Sequence, residues 1–171
     1  LEAKYKLGLF DNPYKYCNDN RAKTELFTDA NRAEARKIAA DCFVLLKNQN
    51  NMLPLKKSGT IAVVGPLGNN RVNMTGTWSV AANFEKAISL LDGLTVVGQG
   101  AKIVYAKGSN LDDDSALEAR ATMFGKSFER DKRSPEEMIH EALSISAGAD
   151  VIVAALGESA EMTGESSSRS D

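Results

Sequence analysis

The sequence predicts an α/β fold, a three-layer αβα sandwich built on a mostly parallel β-sheet. Three apolar runs rich in β-branched residues predict the strands, at Thr60–Val64, at Lys102–Ala106 and at residues 150–156. The first run has no polar alternation, which indicates a strand buried on both faces and therefore parallel pairing. Helical patterns separate the runs, so the order is βαβαβ with right-handed crossovers. No helical pattern follows the third run, and we expect the sandwich to be incomplete at the C-terminus.

Length and charge limit the class of protein. The 171 residues, of which 43% are hydrophobic, suffice for one domain with a core. The 21 basic and 23 acidic side chains are interspersed and give a net charge of −2. No basic stripe is available to bind a phosphate backbone, so we expect no nucleic-acid partner. No apolar run approaches the roughly 20 residues of a membrane helix, and we expect no membrane partner.

The first part of the chain has the character of a tail and a linker. Residues 1–7 have helix-forming composition, and Gly8 follows as a stop signal. An apolar pair and a turn signature at residues 9–14 suit a tail held against a larger body. A polar stretch then leads to the next helical pattern. We therefore separate residues 1–28, a tail and linker, from residues 29–171, which contain the sandwich.

The first helix of the second region has several possible starts. Thr28, Asp29 and Asn31 are alternative N-caps, and Asn31 has Glu34 three residues later, as in a capping box. Apolar side chains at helical spacing predict one buried stripe on this helix. The stripe comprises Ala35, Ile38, Ala39, Cys42 and Leu46. Residues 44–46 either belong to this element or form a short strand.

Two further helices connect the strands. Residues 84–91 carry apolar side chains at helical spacing. Ser134-Pro135-Glu136-Glu137 is a strong helix start, with an N-cap hydroxyl, proline at the first position and a carboxylate at the third. The predicted buried face of this last helix comprises Met138, Ile139, Ala142 and Ile145. We interpret residues 111–133 as a surface excursion with a weakly helical middle.

Cysteine and histidine content gives no signal for a metal site. Cys42 lies on the apolar helix face, where a buried thiol acts as a small hydrophobic side chain. Cys17 lies in the polar linker, and the spacing of the two does not support a disulfide. His140 is the single histidine and has no second histidine or CxxC motif nearby. We expect it to be a surface or packed imidazole.

The segment after the third strand holds candidate catalytic residues. Open α/β sheets place ligand sites in the loops at the carboxyl ends of their strands. Here a Gly/Ser-rich segment carries three carboxylates, at Glu158, Glu161 and Glu165. A carboxyl group in a partly desolvated cleft can stay protonated and donate its proton to a leaving oxygen. The residues alone do not choose among the three, and three solvated loop charges remain the alternative.

The loop after the first strand argues against a nucleotide-binding domain. Gly65-Pro66-Leu67-Gly68 lacks the G-x-G-x-x-G spacing, and no Walker lysine loop occurs in the sequence. Gly65 and Pro66 are more simply turn residues. Farther along, Trp78 stands among small residues. It is either a core or interface residue or, at the carboxyl end of a strand, part of a sugar subsite.

Several segments resemble, in the same order, the second domain of glycoside hydrolase family 3 enzymes. They are LLKN at 45–48, LPL at 53–55, IAVVGP at 61–66, GTWS at 76–79, VYAKG at 104–108, RSPEEMI at 133–139 and the Glu-rich segment at 157–171. The sequence LGLFDNP at 7–13 is similar to the end of the family's preceding barrel domain. The resemblance thus makes residues 1–28 the end of a (β/α)8-type barrel with its linker, and residues 29–171 the N-terminal part of the sandwich.

This resemblance implies a retaining exo-acting β-glucosidase, which hydrolyses terminal non-reducing β-D-glucosyl residues at a site between barrel and sandwich. The family's barrel supplies an aspartate nucleophile, whose motif is absent from this sequence, so we expect the chain by itself to be inactive. The sandwich supplies a glutamate acid/base in a Gly-Glu-x-x-x-Arg context. Residues 164–169 match that context, and the resemblance therefore assigns the acid/base role to Glu165.

The same resemblance implies the remaining contacts. Trp78, Glu158 and Arg169 are candidate substrate-binding residues, and the expected partners are a β-glucoside or oligosaccharide and the barrel domain. Neither a cofactor nor a metal is implied, and the expected location is the periplasm or the cell exterior. The alternative is a non-catalytic sugar-binding or interaction module with the same sandwich fold.

Overall fold

The structure is a computed structural model that describes residues 1–76, 78–80, 82–120 and 130–163. The chain divides into two compact units, Leu1–Leu53 and Pro54–Asp171. Among the helices described, none combines the length and apolar character that crossing a bilayer requires.

Short helices make up the first unit. They are α1 at Glu2–Lys6, α2 at Arg21–Thr24, α3 at Asp29–Asp41 and a 3-10 turn at Gln49–Asn51. Gly8 has a φ of 70°, and its N–H donates to the carbonyl of Tyr5 at 2.8 Å. The stop predicted at Gly8 is confirmed, because this left-handed conformation ends the helix without the steric cost of a Cβ.

Thr28 is the N-cap of helix α3, and its Oγ1 accepts a hydrogen bond from the N–H of Asn31 at 3.1 Å. The prediction of a buried stripe on this helix is wrong. The side chain of Ile38 is 55% exposed, Leu46 is 91% exposed and lies beyond the helix, and Cys42 is exposed. Periodicity indicates which face of a helix is apolar, but burial also needs a second surface against that face. The short strand considered at residues 44–46 does not form.

The second unit contains a three-stranded parallel sheet in the order β2-β1-β3. The strands are β1 at Thr60–Val64, β2 at Lys102–Ala106 and β3 at Val151–Ala154. In the central strand, Ile61, Ala62 and Val63 are at most 3% exposed. The predicted parallel sheet with a doubly buried first strand is therefore confirmed, although β3 is shorter than the predicted run.

Helix α4 spans Leu90–Val97 and connects β1 to β2. The helix predicted at residues 84–91 is wrong, because only a 3-10 turn at Phe84–Lys86 forms before the true start. Ser89 Oγ accepts from the N–H of Asp92 at 3.1 Å, and the Asp92 carboxylate accepts from the N–H of Ser89 at 3.1 Å. This capping box starts the helix at Ser89 and outweighs the apolar spacing upstream.

Helix α6 spans Pro135–Ala147 and connects β2 to β3. Its predicted start is confirmed, since Ser134 and Glu137 form a reciprocal capping box with bonds of 3.2 and 2.8 Å. Met138 is 1% exposed and lies against the sheet, as predicted. Ile139 is 52% exposed, so its predicted burial is wrong. One helical step of about 100° turns Ile139 away from the face that Met138 occupies.

The connection between β2 and α6 contains helix α5 at Ser115–Arg120. The described end of this connection is tied back to its beginning through Arg130. The Arg130 guanidinium donates to the carbonyl of Asp112 at 2.7 Å and pairs with Glu118, whose side chain is buried. A buried carboxylate needs such a charged partner. The first described residues of the excursion predicted for residues 111–133 are therefore joined to its last part by Arg130.

Candidate active-site edge

The three strands end at one edge of the sheet, which we call the carboxyl edge. Gly65 follows β1 with a φ of 117°, and a Cβ there would lie 2.4 Å from the carbonyl oxygen of Ala155 after β3. The N–H of Gly65 donates to Ala106 O at 3.2 Å, and the N–H of Ala155 donates to Val64 O at 2.7 Å. Only glycine permits this close passage, so backbone contacts determine where the strands' exit segments leave the sheet.

The strand order places the segments after β1 and β3 next to each other. The chain runs from β1 to β2 on one side of β1, and it then crosses over to β3 on the other side of β1. Right-handed crossovers then place α4 and α6 on opposite faces of the sheet. Open α/β sheets form ligand crevices at this kind of reversal, outside the carboxyl ends of the strands. The carboxylate-rich segment singled out by the sequence starts at this position.

We call residues 155–163 the β3 exit segment. Gly157 has a φ of 144°, and a Cβ added there would lie 3.5 Å from a methyl carbon of Leu67. Ser159 is 6% exposed, and the N–H of Ala160 donates to Asn73 Oδ1 at 2.7 Å. A 3-10 turn at Ala160–Thr163 completes the described part. The β3 exit segment is therefore packed against the loop that follows β1.

The candidate residues on this segment differ in what the structure describes. Glu158 is exposed beside the carboxyl edge. The backbone of Glu161 lies within the 3-10 turn, but its side chain is outside the described residues. Glu165 and Arg169 also lie outside them. The acid/base assignment to Glu165 thus stays a prediction.

Trp78 lies in the loop after β1, following a 3-10 turn at Val72–Thr75. Its side chain is 64% exposed, which excludes the interpretation of Trp78 as a core residue. Ser79 Oγ donates to the carbonyl of Gly76 at 2.8 Å and also to the carbonyl of Thr75. These bonds hold the loop backbone while the indole stays open to contact another surface or a sugar.

A cleft of about 970 Å³ lies beside the end of β2, between the loop after β1 and the start of α6. Sequence reasoning did not identify it. Its charged lining comprises Arg71, Lys107, Arg130, Asp131, Lys132, Arg133 and Glu141. The detectable signal was the charged run Asp131-Lys132-Arg133 immediately before the Ser134 helix start. The volume is in the range of small-molecule sites. Which ligand charge the cleft could accept depends on how the charged side chains of its lining are paired.

Ion pairs neutralise much of this lining. Arg133 pairs with Asp131 at 2.6 Å and with Glu141 at 2.7 Å. The hydrogen bond from the Arg133 side chain, followed by one from its backbone N–H, holds the pKa of the Asp131 carboxyl far below its usual value. The same partners raise the pKa of the Arg133 guanidinium. A carboxylate that stays ionised cannot act as a general acid, and Arg133 donates hydrogen bonds to both carboxylate oxygens of Asp131.

Asn110 extends the network across the cleft wall. Its Nδ2 donates to the carbonyl of Asp131 at 3.0 Å, and its Oδ1 accepts from the N–H of Asp131 at 2.9 Å. Lys107 Nζ also donates to Asn110 Oδ1 at 2.9 Å. The end of β2 is thereby joined to the residues that start α6.

Two other titratable groups near the edge have structural partners. Hydrogen bonds from the Ser89 hydroxyl and backbone, and then from Arg71, lower the pKa of Asp92. Burial raises the pKa of the Tyr105 phenol, which donates a hydrogen bond to Gly65 O at 3.3 Å. In the part of the chain that the structure describes, no group of three His, Cys, Asp or Glu side chains could hold a metal ion.

Comparison with known proteins gives concordant matches. The family model for the glycosyl hydrolase family 3 C-terminal domain matches residues 43–171. The chain is 42% identical over 175 residues to the periplasmic beta-glucosidase of Salmonella typhimurium, covering all of this chain and 23% of that protein. It is 33% identical over 178 residues to a beta-xylosidase of Formosa agariphila, covering all of this chain and 22% of that protein.

Solved structures give the same result. A crystal structure of beta-glucosidase from Listeria innocua with isofagomine superposes with a TM-score of 0.72 at 29% identity. The alignment covers 96% of this chain and 20% of that chain. The present chain thus spans less than a quarter of the length of these relatives.

Proposed function

Since the chain belongs to glycosyl hydrolase family 3, we propose that the protein carrying it is a retaining exo-acting β-glucosidase that releases terminal non-reducing β-D-glucosyl residues. The similarity to a beta-glucosidase over the whole chain supports this substrate class. The beta-glucosidase from Listeria innocua has been crystallised with glucose and with laminaribiose. The observation that carries the proposal is the contact between the Trp78-bearing loop and the β3 exit segment at the carboxyl edge.

In this proposal the two catalytic carboxyls come from different domains. Residues 1–28 are the end of a barrel domain and a linker, and residues 29–171 are the first part of the sandwich. A barrel aspartate attacks the anomeric carbon while Glu165 gives its proton to the departing glycosidic oxygen. Glu165 then takes a proton from the water that cleaves the glycosyl-enzyme bond. Retention requires the two carboxyls to stand about 5–5.5 Å apart.

The remaining candidates bind the sugar. Trp78 offers an exposed ring face for stacking on a pyranose. Glu158 and Arg169 supply charged hydrogen-bonding groups to sugar hydroxyls. The relative in Salmonella typhimurium is named as periplasmic, and we place the present protein in the periplasm or outside the cell on that basis. The 171-residue chain alone should lack turnover, because the nucleophile belongs to the barrel.

The test of the acid/base role is Glu165→Gln in the full-length enzyme. We expect kcat/KM for alkyl glucosides, which have poor leaving groups, to fall by about 10²–10⁴-fold. Aryl glucosides with acidic leaving groups should be affected far less, because their departure needs no proton. Added azide should raise kcat of Glu165→Gln on the activated substrate by replacing the base-assisted water.

Glu158→Gln and Glu161→Gln are the matched controls, since they remove the same charge from neighbouring positions. If either one shows the leaving-group selectivity and azide rescue while Glu165→Gln does not, the wrong carboxyl has been assigned. A full-length protein that binds glucosides but never turns them over would instead support the non-catalytic sugar-binding module.

A further inference from the structure

We propose that Asn73 is a positioning residue for catalysis, whose side-chain amide anchors the β3 exit segment and couples it to the Trp78 loop. The inference rests on the proposed function, because it concerns the segment that leads to the acid/base Glu165. Asn73 itself makes no contact with reacting atoms in this account. It acts through the backbone of Ala160, 87 residues away in sequence.

The hydrogen bonds around Asn73 have a defined direction. The backbone N–H of Asn73 donates to Asn70 Oδ1 at 2.9 Å, which identifies that atom as the amide oxygen. The same oxygen accepts from Asn73 Nδ2 at 3.1 Å. Asn73 Oδ1 must then point the other way, where it accepts from the N–H of Ala160 at 2.7 Å. One backbone donor thus sets the orientation of both side-chain amides.

The hydrogen bond between the Ala160 N–H and Asn73 Oδ1, which we call the anchor, is partly shielded from solvent. Asn73 is half-buried, and Ser159, which precedes the anchored amide, is 6% exposed. The N–H of Ala160 is part-buried beside Ser159, and a sheltered backbone N–H costs free energy when it loses its acceptor. The N–H of Ser159 is directed to the Met162 sulfur at 3.3 Å, so the turn is also closed within itself. Loss of the Asn73 acceptor should therefore shift the turn as a unit.

The anchor is equally distant in sequence from Trp78 and from the proposed acid/base Glu165. Trp78 follows Asn73 by five residues, and Glu165 follows Ala160 by five residues. Five residues span at most about 17 Å when fully extended, so only a short length of backbone connects the anchor to each of these two residues. The hydrogen bond from the Ala160 N–H to Asn73 Oδ1 thus joins the loop that carries Trp78 to the segment that leads to Glu165.

Loss of the Asn73 anchor should slow proton transfer to the leaving group more than the other steps of the reaction. A displacement of about 1 Å in a catalytic group can cost about 100-fold in rate. Proton delivery matters for poor leaving groups and little for activated ones. Replacing Asn73 by leucine keeps the approximate size but removes both amide functions. Misplacement of the acid/base should then slow alkyl glucosides selectively.

The experiment uses Asn73→Leu in the full-length enzyme. We expect kcat/KM for alkyl glucosides to fall by about 10–100-fold and that for activated aryl glucosides by no more than about threefold. Hydrogen–deuterium exchange should accelerate across residues 157–163 but stay unchanged in β3. Asn73→Asp keeps an acceptor for the Ala160 N–H and should recover part of the lost rate.

Asn110→Leu is the matched control. Asn110 is also a half-buried asparagine whose amide bridges distant backbone, but it holds Asp131, before the start of α6, rather than the β3 exit segment. It should lower the melting temperature without leaving-group selectivity. Equal losses on both substrate classes for Asn73→Leu, or unchanged exchange at residues 157–163, would overturn the inference.

The two proposals can fail separately. Leaving-group selectivity in Glu165→Gln but not in Asn73→Leu would refute the anchor and leave the acid/base assignment intact. Selectivity in Asn73→Leu but not in Glu165→Gln would support the anchor and transfer the acid/base role to Glu158 or Glu161.

Discussion

Replacing Gly65 by alanine should strongly destabilise the sheet unit, because two separate costs act at this residue. A φ of 117° is unfavourable for any residue with a Cβ, which costs about 1–3 kcal/mol. The added Cβ would also lie 2.4 Å from Ala155 O, so Gly65 must shift from its present position between the ends of β2 and β3. That movement weakens the bonds from Ala155 N to Val64 O and from Gly65 N to Ala106 O, each worth about 1 kcal/mol.

Together these terms predict a loss of about 3–5 kcal/mol for Gly65→Ala, a large part of the 5–15 kcal/mol typical of a folded domain. Gly93→Ala is the matched control. Gly93 lies inside α4, and a Cβ there meets nothing within 4 Å. Alanine is a better helix former than glycine, so this change should stabilise by up to about 1 kcal/mol.

Equilibrium urea unfolding of the two variants measures both effects. With a typical dependence of about 2 kcal/mol per molar urea, Gly65→Ala should lower the midpoint by about 2 M, and Gly93→Ala should raise it slightly. If Gly65→Ala costs under about 1 kcal/mol, the close passage of β1 and β3 is not a steric constraint. A loss of equal size in Gly93→Ala would show that the effect is not specific to Gly65.

Three further predictions concern packing and pH. Met138→Ala should cost about 2–5 kcal/mol in urea unfolding, whereas Ile139→Ala beside it should cost under about 1, because only Met138 is fully buried. The pKa of Asp131 is lower in the folded state than its ordinary 3.8, so its stabilisation is present above pH 4 and is lost on acidification. Melting temperatures should therefore fall less below pH 4 in Asp131→Asn than in the wild type; an identical fall would contradict the pairing with Arg133. Burial raises the pKa of Tyr105 above 10.0, so this phenol should ionise late in a spectrophotometric titration, and Tyr105→Phe should remove that late component.

Elements with strong local signals were predicted correctly. The β-branched runs at β1 and β2 became strands, and Ser134 started α6 through its capping box. These signals act within a few residues, so they do not depend on the rest of the fold. The misplaced helix at residues 84–91 also has a local cause, because the capping box at Ser89 lies within the apolar pattern and starts α4 later in the chain.

Burial was predicted less well than secondary structure. The apolar face of α3 is exposed at Ile38, and Ile139 on α6 is also exposed. A helical pattern shows where apolar side chains recur, but it does not show which of them meet a second surface. The sequence also left the exposure of Trp78 open, because that exposure depends on how the loop after β1 folds.

By itself, the sequence determined the α/β class, the helix and strand order, the family resemblance and the carboxylate-rich segment that carries the candidate acid/base. The tertiary structure decided the strand order β2-β1-β3, the close passage of Gly65 by Ala155 and the bond from Ala160 to Asn73. It also revealed the ion pairs of Arg133. Backbone preferences and capping act between near neighbours and can be inferred from residue types. A hydrogen bond between residues 87 positions apart exists only because parallel strands bring their carboxyl ends to one edge.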